Sequence, residues 1–352
     1  MTKERLLRYE DYPMAPRGSK NISFATFNLY NLQLPGVEWY KSNYSQAQYD
    51  AKISWSAKIL ALLDADVIAF QELWSKQCLV ELFEQAGLTA QYQLYFIKNK
   101  WYNIAVAAAV RKPWTVKKQE VHKDFPSGIT LNKPKRNDGE DDELDIQIER
   151  FSRSILQLSI GHEEADLPTI EVFATHLKSK RSTQLRTSNE ALRLHQEAIG
   201  SAISTIRRTA EAAALRVLLT RQMKSTDHPV VVLGDLNDST LSNTLSILTQ
   251  QPPFRRYESC RVGYRNDVGL YTASVLQQMR STRDVYYTHE FKGIKEVIDH
   301  VLVSEQFYDH SDQRVWSFRE MRIWNDYMED DDRSTSDHGV VCTRFIHNPA
   351  GR

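Results

Sequence analysis

Val230-Val231-Val232-Leu233-Gly234-Asp235-Leu236-Asn237-Asp238 joins an apolar run to a polar cluster with only a glycine between them. The uncharged, mostly β-branched run reads as a buried strand. Gly234 lets the backbone turn or approach a ligand closely. If the chain stays extended, Asp235 and Asn237 face the same side, because strand side chains alternate with period two. A carboxylate and an amide at a strand's C-terminal end could bind a metal, position a water or accept its proton. Asp, Asn and Gly are equally the commonest turn formers, so this segment alone leaves both readings open.

Other apolar runs end in the same manner. Thr26-Phe27-Asn28 ends a first strand on an amide, and Phe70-Gln71-Glu72 ends a second on a carboxylate. A lone buried charge is costly, so Glu72 calls for a cation, either a metal or an Arg or Lys partner. Phe173-Ala174-Thr175-His176 ends on imidazole and leads into the basic run Lys178, Lys180, Arg181. Ile298-Asp299-His300 places a carboxylate in an apolar stretch, and Ser336-Asp337-His338 precedes the last strand. A single histidine beside an apolar run is ordinarily structural. Chemically useful groups at six strand ends make coincidence a poor explanation.

Composition bounds the class. The chain has 352 residues, 41% hydrophobic and 26% charged, with Lys plus Arg and Asp plus Glu both at 45. That is ordinary globular composition. Zero net charge argues against strong nonspecific duplex binding, which needs a basic excess. The charged N-terminus is no signal peptide, and Ile104–Val110 is too short to cross a bilayer. Cys78, Cys260 and Cys342 form no CxxC pair and read as reduced thiols. A cytoplasmic protein without membrane attachment is the expectation; oligomeric state is left open.

The periodicities predict a polar leader over 1–20, one domain over 21–346 and a short tail over 347–352. A helix is expected at about Gln46–Leu63, where Tyr49, Ile53, Ile59 or Leu60, and Leu63 recur at helical spacing. Strands are expected at Ile22–Leu29, Val67–Glu72, Ile104–Val110, Ser154–Ile160, Thr169–Thr175, Val230–Leu233, Val297–Val303 and Gly339–Phe345. The segment 122–149, with KPKR and DGEDDELD, reads as a charged insertion. A long helix is expected over about 184–224, its stripe of Leu185, Leu192, Ile199, Ile203, Ile206, Ala210, Ala213 and Val217 packed on a sheet. A coiled-coil seam is the competing reading of that stripe, which Gly200 interrupts. The acidic runs DGEDDELD and MEDDD lack the ligand spacing of a calcium loop and read as solvated charge.

The ordered segments TFN, QE, THLKS, GDLND, IDHVLVS and SDH, spread over residues 22 to 345, resemble the endonuclease/exonuclease/phosphatase superfamily with its deoxyribonuclease I-like fold. Each is weak alone; six in the family's order are specific. The resemblance implies an α/β four-layer α-β-β-α sandwich of two mixed sheets flanked by helices, with the site at a loop-rich edge between the sheets. It implies Asn28 and Glu72 as the metal-site pair, with Asp337 as a further or water-mediated ligand. Magnesium or manganese is the implied ion, with calcium as a further occupant.

Asp235 and Asn237 resemble the pair that activates water and orients the phosphate, and His338 the motif imidazole held by Asp299. His176 resembles a second histidine donating to a phosphate oxygen or the leaving group. Arg153 and Lys178 are looser matches to phosphate-facing cations. The implied activity is metal-dependent phosphoester hydrolysis, with nucleic acid favoured as substrate. An inositol or lipid phosphatase is the enzymatic alternative, and a non-catalytic binding module the alternative of a different class. The chain departs from some nucleases of the family at Trp101-Tyr102-Asn103-Ile104, where no carboxylate is present to partner His176. Gly339-Val340 stands where proline is frequent after SDH.

Overall fold

In the computed structural model, residues 20–129, 131–132, 145–187, 189–250, 268–280, 287–328 and 333–350 are described. The leader 1–19, most of the charged runs, Cys260 and the last two residues of the tail lie outside them. The elements run β1 (Ile22–Leu32), α1 (Gln46–Leu63), β2 (Val67–Leu73), α2 (Lys76–Gln85), β3 (Tyr92–Ile97), β4 (Ala105–Arg111), β5 (Trp114–Asp124), β6 (Leu131–Asn132) and β7 (Asp145–Ile146). They continue β8 (Arg150–His162), β9 (Ile170–His176), α3 (Glu190–Arg193), α4 (Gln196–Met223), β10 (Val230–Asp235), α5 (Asn243–Thr249), β11 (Tyr271–Thr272) and α6 (Ala273–Arg280). The last are β12 (His289–Phe291), β13 (Ile294–Glu296), β14 (Asp299–Val303), β15 (Trp316–Trp324) and β16 (Val340–His347).

Two six-stranded sheets form, ordered β15-β16-β1-β2-β4-β3 and β11-β14-β10-β9-β8-β5. Each is mixed. The pairs β1–β2 and β9–β10 are parallel, while β16 and β14 run antiparallel to β1 and β10. Period-two alternation sorts the apolar side chains into layers. Phe24, Ala69, Val172, Val231, Leu233, Val301 and Val341 meet between the sheets. Phe27, Ile68 and Phe70 face α1 and α2 on one outer side, and Phe173, Val232 and Leu302 face α4 and α5 on the other. The result is the expected four-layer α-β-β-α sandwich.

Helix α1 spans the expected Gln46–Leu63, because Ser45 and Gln48 close a capping box at its start. Its periodic residues Tyr49, Ile53, Ile59, Leu60 and Leu63 are all buried. The expected helix over 184–224 is shorter, beginning at Gln196 after the four-residue α3. Its buried face is also not the expected stripe. Leu192, Ile203 and Ile206 are exposed, while Ser204, Arg208, Ala210, Glu211, Ala212, Leu215, Leu219 and Met223 are buried. Small residues bring the helix close, and buried ion pairs replace the apolar contacts assumed from hydropathy. Gly200 sits where the loop after β9 meets α4; a Cβ there would lie 2.1 Å from the Ser182 hydroxyl. The charged insertion starts later than 122, since His122–Asp124 finish β5, and its ends pair as β6 and β7.

Gly234 settles what its freedom is for. Its φ is 147°, and a Cβ would stand 2.0 Å from the carbonyl oxygen of Thr175 on β9. The close approach is therefore to the neighbouring strand. Overpacking against rigid backbone costs about 1–3 kcal/mol and strained φ adds to it. Gly234→Ala should destabilise the fold by about 3 kcal/mol in urea melts, and a loss below about 1 kcal/mol would contradict this packing.

Candidate active site

Topology alone gathers the six strand ends. The C-terminal ends of the parallel pairs β1–β2 and β9–β10 share an edge with the N-terminal ends of the antiparallel β16 and β14. Counting by twos from the inter-sheet core, the next inward positions are Asn28, His176, Asp235 and Asp299. The polar site is thus the continuation of the core's own alternation past the point where apolar residues stop. Across the gap between sheets, the Asn28 Nδ2 donates to Asp235 Oδ2 at 3.2 Å.

Asp235 is buried, and burial followed by the charges of Asp299 and Glu72 pushes its carboxyl up to about 7, against the pull of His338. Its Oδ1 accepts the backbone N–H of Asn237 at 2.9 Å. That bond closes a turn, with Asn237 at φ 55°, so the extended-chain expectation for the pair is corrected. Asp235 points into the site, whereas the Asn237 amide donates to the carbonyl of Leu177 at 3.2 Å. Both readings of the segment hold together: it is a turn, and it delivers a carboxylate.

His338 Nδ1 donates to Asp299 Oδ2 at 2.8 Å. Burial disfavours its charged form, but Asp299, Asp337 and Asp235 outweigh that and hold the imidazolium well above the usual histidine range. Residues given no role by the resemblance fix this loop. Ser336 Oγ donates to the Asn28 carbonyl and accepts from the His338 amide. The wholly buried Lys52 of α1 donates to the carbonyl of Thr335 at 2.8 Å, and Tyr327 donates to that of His338 at 2.7 Å. Thr288 Oγ1 accepts the N–H groups of Ile298 and Asp299. Lys52, Tyr327 and Thr288 follow no long apolar run, so the strand-end signal could not reveal them.

His176 is also buried, and burial first, then the positive charges of Arg153, His338 and Lys178, hold its pKa well below the usual value. It is a neutral imidazole at neutral pH. Its Nε2 lies 3.4 Å from Asp235 Oδ2, and its Nδ1 has no partner among the described residues. The carboxylate near His176 is therefore Asp235 itself, which answers the missing acid at 101–104.

The basic loop is less available than its sequence suggests. Lys180 pairs with Glu296 at 2.7 Å. Lys178, pushed down to about 8 by burial and by Arg153, bonds to Ser179 and Arg181 of its own loop. Arg153 Nη1 donates to the Leu177 carbonyl at 3.0 Å. The buried Glu211 of α4, absent from the expected site, accepts the N–H groups of Ser152 and Lys178 and the Arg207 guanidinium. It ties that loop to β8.

Glu72 interrupts the alternation of β2. Phe70 and Leu73 both face the helices, and between them Glu72 adopts φ 56° as the register with β4 shifts. Its carboxylate accepts the Asn31 backbone N–H at 3.1 Å. Burial first and Asp337 second push its carboxyl up, while His338, Arg153 and a hydrogen bond from Asn28 oppose this. A buried carboxylate pushed up by a second carboxylate beside it is what a site arranged for a cation looks like, so Glu72 with Asp337 fits a divalent ion. Asn28 contributes differently from expectation, since its Oδ1 accepts the Tyr30 amide and its nitrogen faces the carboxylates. His289 was missed altogether. It opens β12 and stands with Asp337 and His338 in a group whose ligand atoms lie within 4.8 Å of one another.

Comparison with known proteins bears on the fold and the family. The human nocturnin catalytic domain with bound sulfate superposes with TM-score 0.57 at 13% identity, over 93% of this chain and 95% of that one. A humanized D. rerio TDP2 gives 0.54 at 15%, over 93% and 99%. An endonuclease/exonuclease/phosphatase from Bacteroides vulgatus gives 0.53 at 14%, over 93% and 99%. At such identities these likenesses speak for the fold. No curated protein sequence gives a significant match. A model of the endonuclease/exonuclease/phosphatase family matches residues 25–338, from the first strand to the SDH histidine. The chain belongs to the endonuclease/exonuclease/phosphatase family, whose chemistry is phosphoester hydrolysis.

Proposed function

We propose that this protein hydrolyses phosphodiesters, nucleic acid in particular, by in-line attack of water assisted by a divalent cation. The observation that carries the reading is the convergence of a neutral and a cationic imidazole on one buried carboxylate. His176 and His338 offer two ways of meeting phosphoryl oxygens, while Asp235 offers a proton acceptor whose carboxyl is tuned near neutrality. A phosphodiester is anionic and repels a nucleophile, so charge must be met before water can attack.

In this reading, Asp235 takes the proton of the attacking water. The Asn28 side chain and the Asn237 backbone N–H hold its two oxygens in place. His338, kept charged and oriented by Asp299, donates from Nε2 to a phosphoryl oxygen. His176 donates toward the phosphate or leaving oxygen. Arg153 adds positive charge beside it. Glu72 with Asp337 would hold magnesium or manganese, which supplies neutralisation of phosphoryl charge and lowers the pKa of water.

The nocturnin domain's bound sulfate is a tetrahedral oxyanion of the kind this site suits. No described helix is long and apolar enough to cross a membrane. The test is a substrate panel of plasmid, single-stranded DNA, RNA, bis-p-nitrophenyl phosphate and inositol phosphates, with magnesium, manganese or chelator. Metal-dependent cleavage of diesters is expected. Turnover of monoesters with every diester untouched would overturn the phosphodiesterase reading.

A further inference from the structure

His289 belongs to no motif of the family resemblance, yet the fold holds it firmly against the SDH loop. It begins the hairpin β12–β13, and its backbone bridges that of His338 in antiparallel fashion. One residue on either side, the Gly339 amide donates to the Thr288 carbonyl at 2.6 Å. Directly opposed cross-strand residues have Cβ atoms about 4.5–5.5 Å apart, so the two imidazoles stand side by side. Their ring centroids are 5.0 Å apart. Asp337 completes the group, with one oxygen 4.0 Å from His338 Nε2.

We propose that His289, Asp337 and His338 form a transition-metal site, selective for zinc- or cobalt-like ions, that shares Asp337 with the carboxylate site but does not use Glu72. Three features support it. The donor atoms already lie within 4.8 Å of one another. A tetrahedral ion at Zn–N distances near 2.0 Å needs donors about 3.3 Å apart, so shifts of roughly 1 Å suffice. Asp337 is half exposed and His289 sits on a hairpin edge, so both can make such shifts.

His338 also carries the accessory bond typical of a metal-ligating histidine. Its Nδ1 is committed to Asp299, which fixes Nε2 as the atom left for a ligand. Finally, two imidazoles and one carboxylate suit zinc, cobalt or nickel, whereas magnesium prefers an all-oxygen shell. Asp337 also feels the charge of Glu72, so its carboxylate can serve either ion. An ion here would occupy the His338 nitrogen that the hydrolytic reading directs at phosphate. Zinc should therefore inhibit magnesium-supported turnover.

The experiment is calorimetric titration of the full chain with zinc chloride in saturating magnesium, alongside the visible spectrum of the cobalt(II) form. Wild type should bind one zinc and show the intense bands of nitrogen-ligated tetrahedral cobalt. His289→Asn should weaken zinc at least about tenfold and lose those bands, whereas Glu72→Gln keeps both. His289→Gln and a circular dichroism melt guard against a folding defect. Equal zinc binding by wild type and both His289 variants would overturn the proposal, as would loss of zinc in Glu72→Gln alone. Because the readout is binding, it stands apart from the substrate panel and is decided even if no diester is cleaved.

Discussion

Replacing Asp235 by asparagine should lower kcat on a phosphodiester by about 10²–10⁴-fold, the usual reach of a general base, with little change in KM. The asparagine oxygen can still accept the Asn237 backbone N–H, so the turn and the fold should survive. What disappears is the proton acceptor. The pH profile separates this from a packing defect. Burial, Asp299 and Glu72 raise the wild-type carboxyl to about 7, so activity should climb as pH rises through the range at or below neutrality. The residual activity of the variant should lack that limb. A variant with the same limb and a small loss would remove Asp235 from the role.

Glu72→Gln is expected to cost about 10³-fold in magnesium-supported turnover, since metal neutralisation of phosphoryl charge contributes several kcal/mol. It carries an opposite expectation for stability. Glu72 is pushed up by burial and by Asp337, beyond what His338, Arg153 and Asn28 offset, and a bound cation would relieve both. Without metal, the neutral amide should therefore raise Tm, while the Tm increase that magnesium gives wild type should vanish. Unchanged turnover with an unchanged magnesium shift would place the ion elsewhere.

Much of this site was legible because the strand ends themselves carry it. Val230–Leu233 and Phe173–Thr175 announce buried strands, and parity then aims Asp235 and His176 inward. Parity failed where the backbone leaves the extended region. Glu72 and Asn237 both have positive φ, which hydropathy cannot signal. The unforeseen strands β3, β5, β11 and β15 are the four edges of the two six-stranded sheets. Edge strands are half solvated and mix charges with apolar residues, as Trp114–Asp124 and Trp316–Trp324 do. Helix α4 misled for the reverse reason, burying Arg208 and Glu211 in ion pairs while leaving Ile203 and Ile206 exposed. His289 ends no apolar run, and only the β-bridge to His338 brings it to the site.

Water activated at Asp235 is expected to attack phosphorus directly. Hydrolysis of a diester in ¹⁸O-labelled water, with a phosphorus-chiral phosphorothioate to report stereochemistry, tests it most directly. The expected product carries one ¹⁸O on phosphorus and shows inversion of configuration. Label in the leaving alcohol, or retention through a phosphorylated His176, would contradict it.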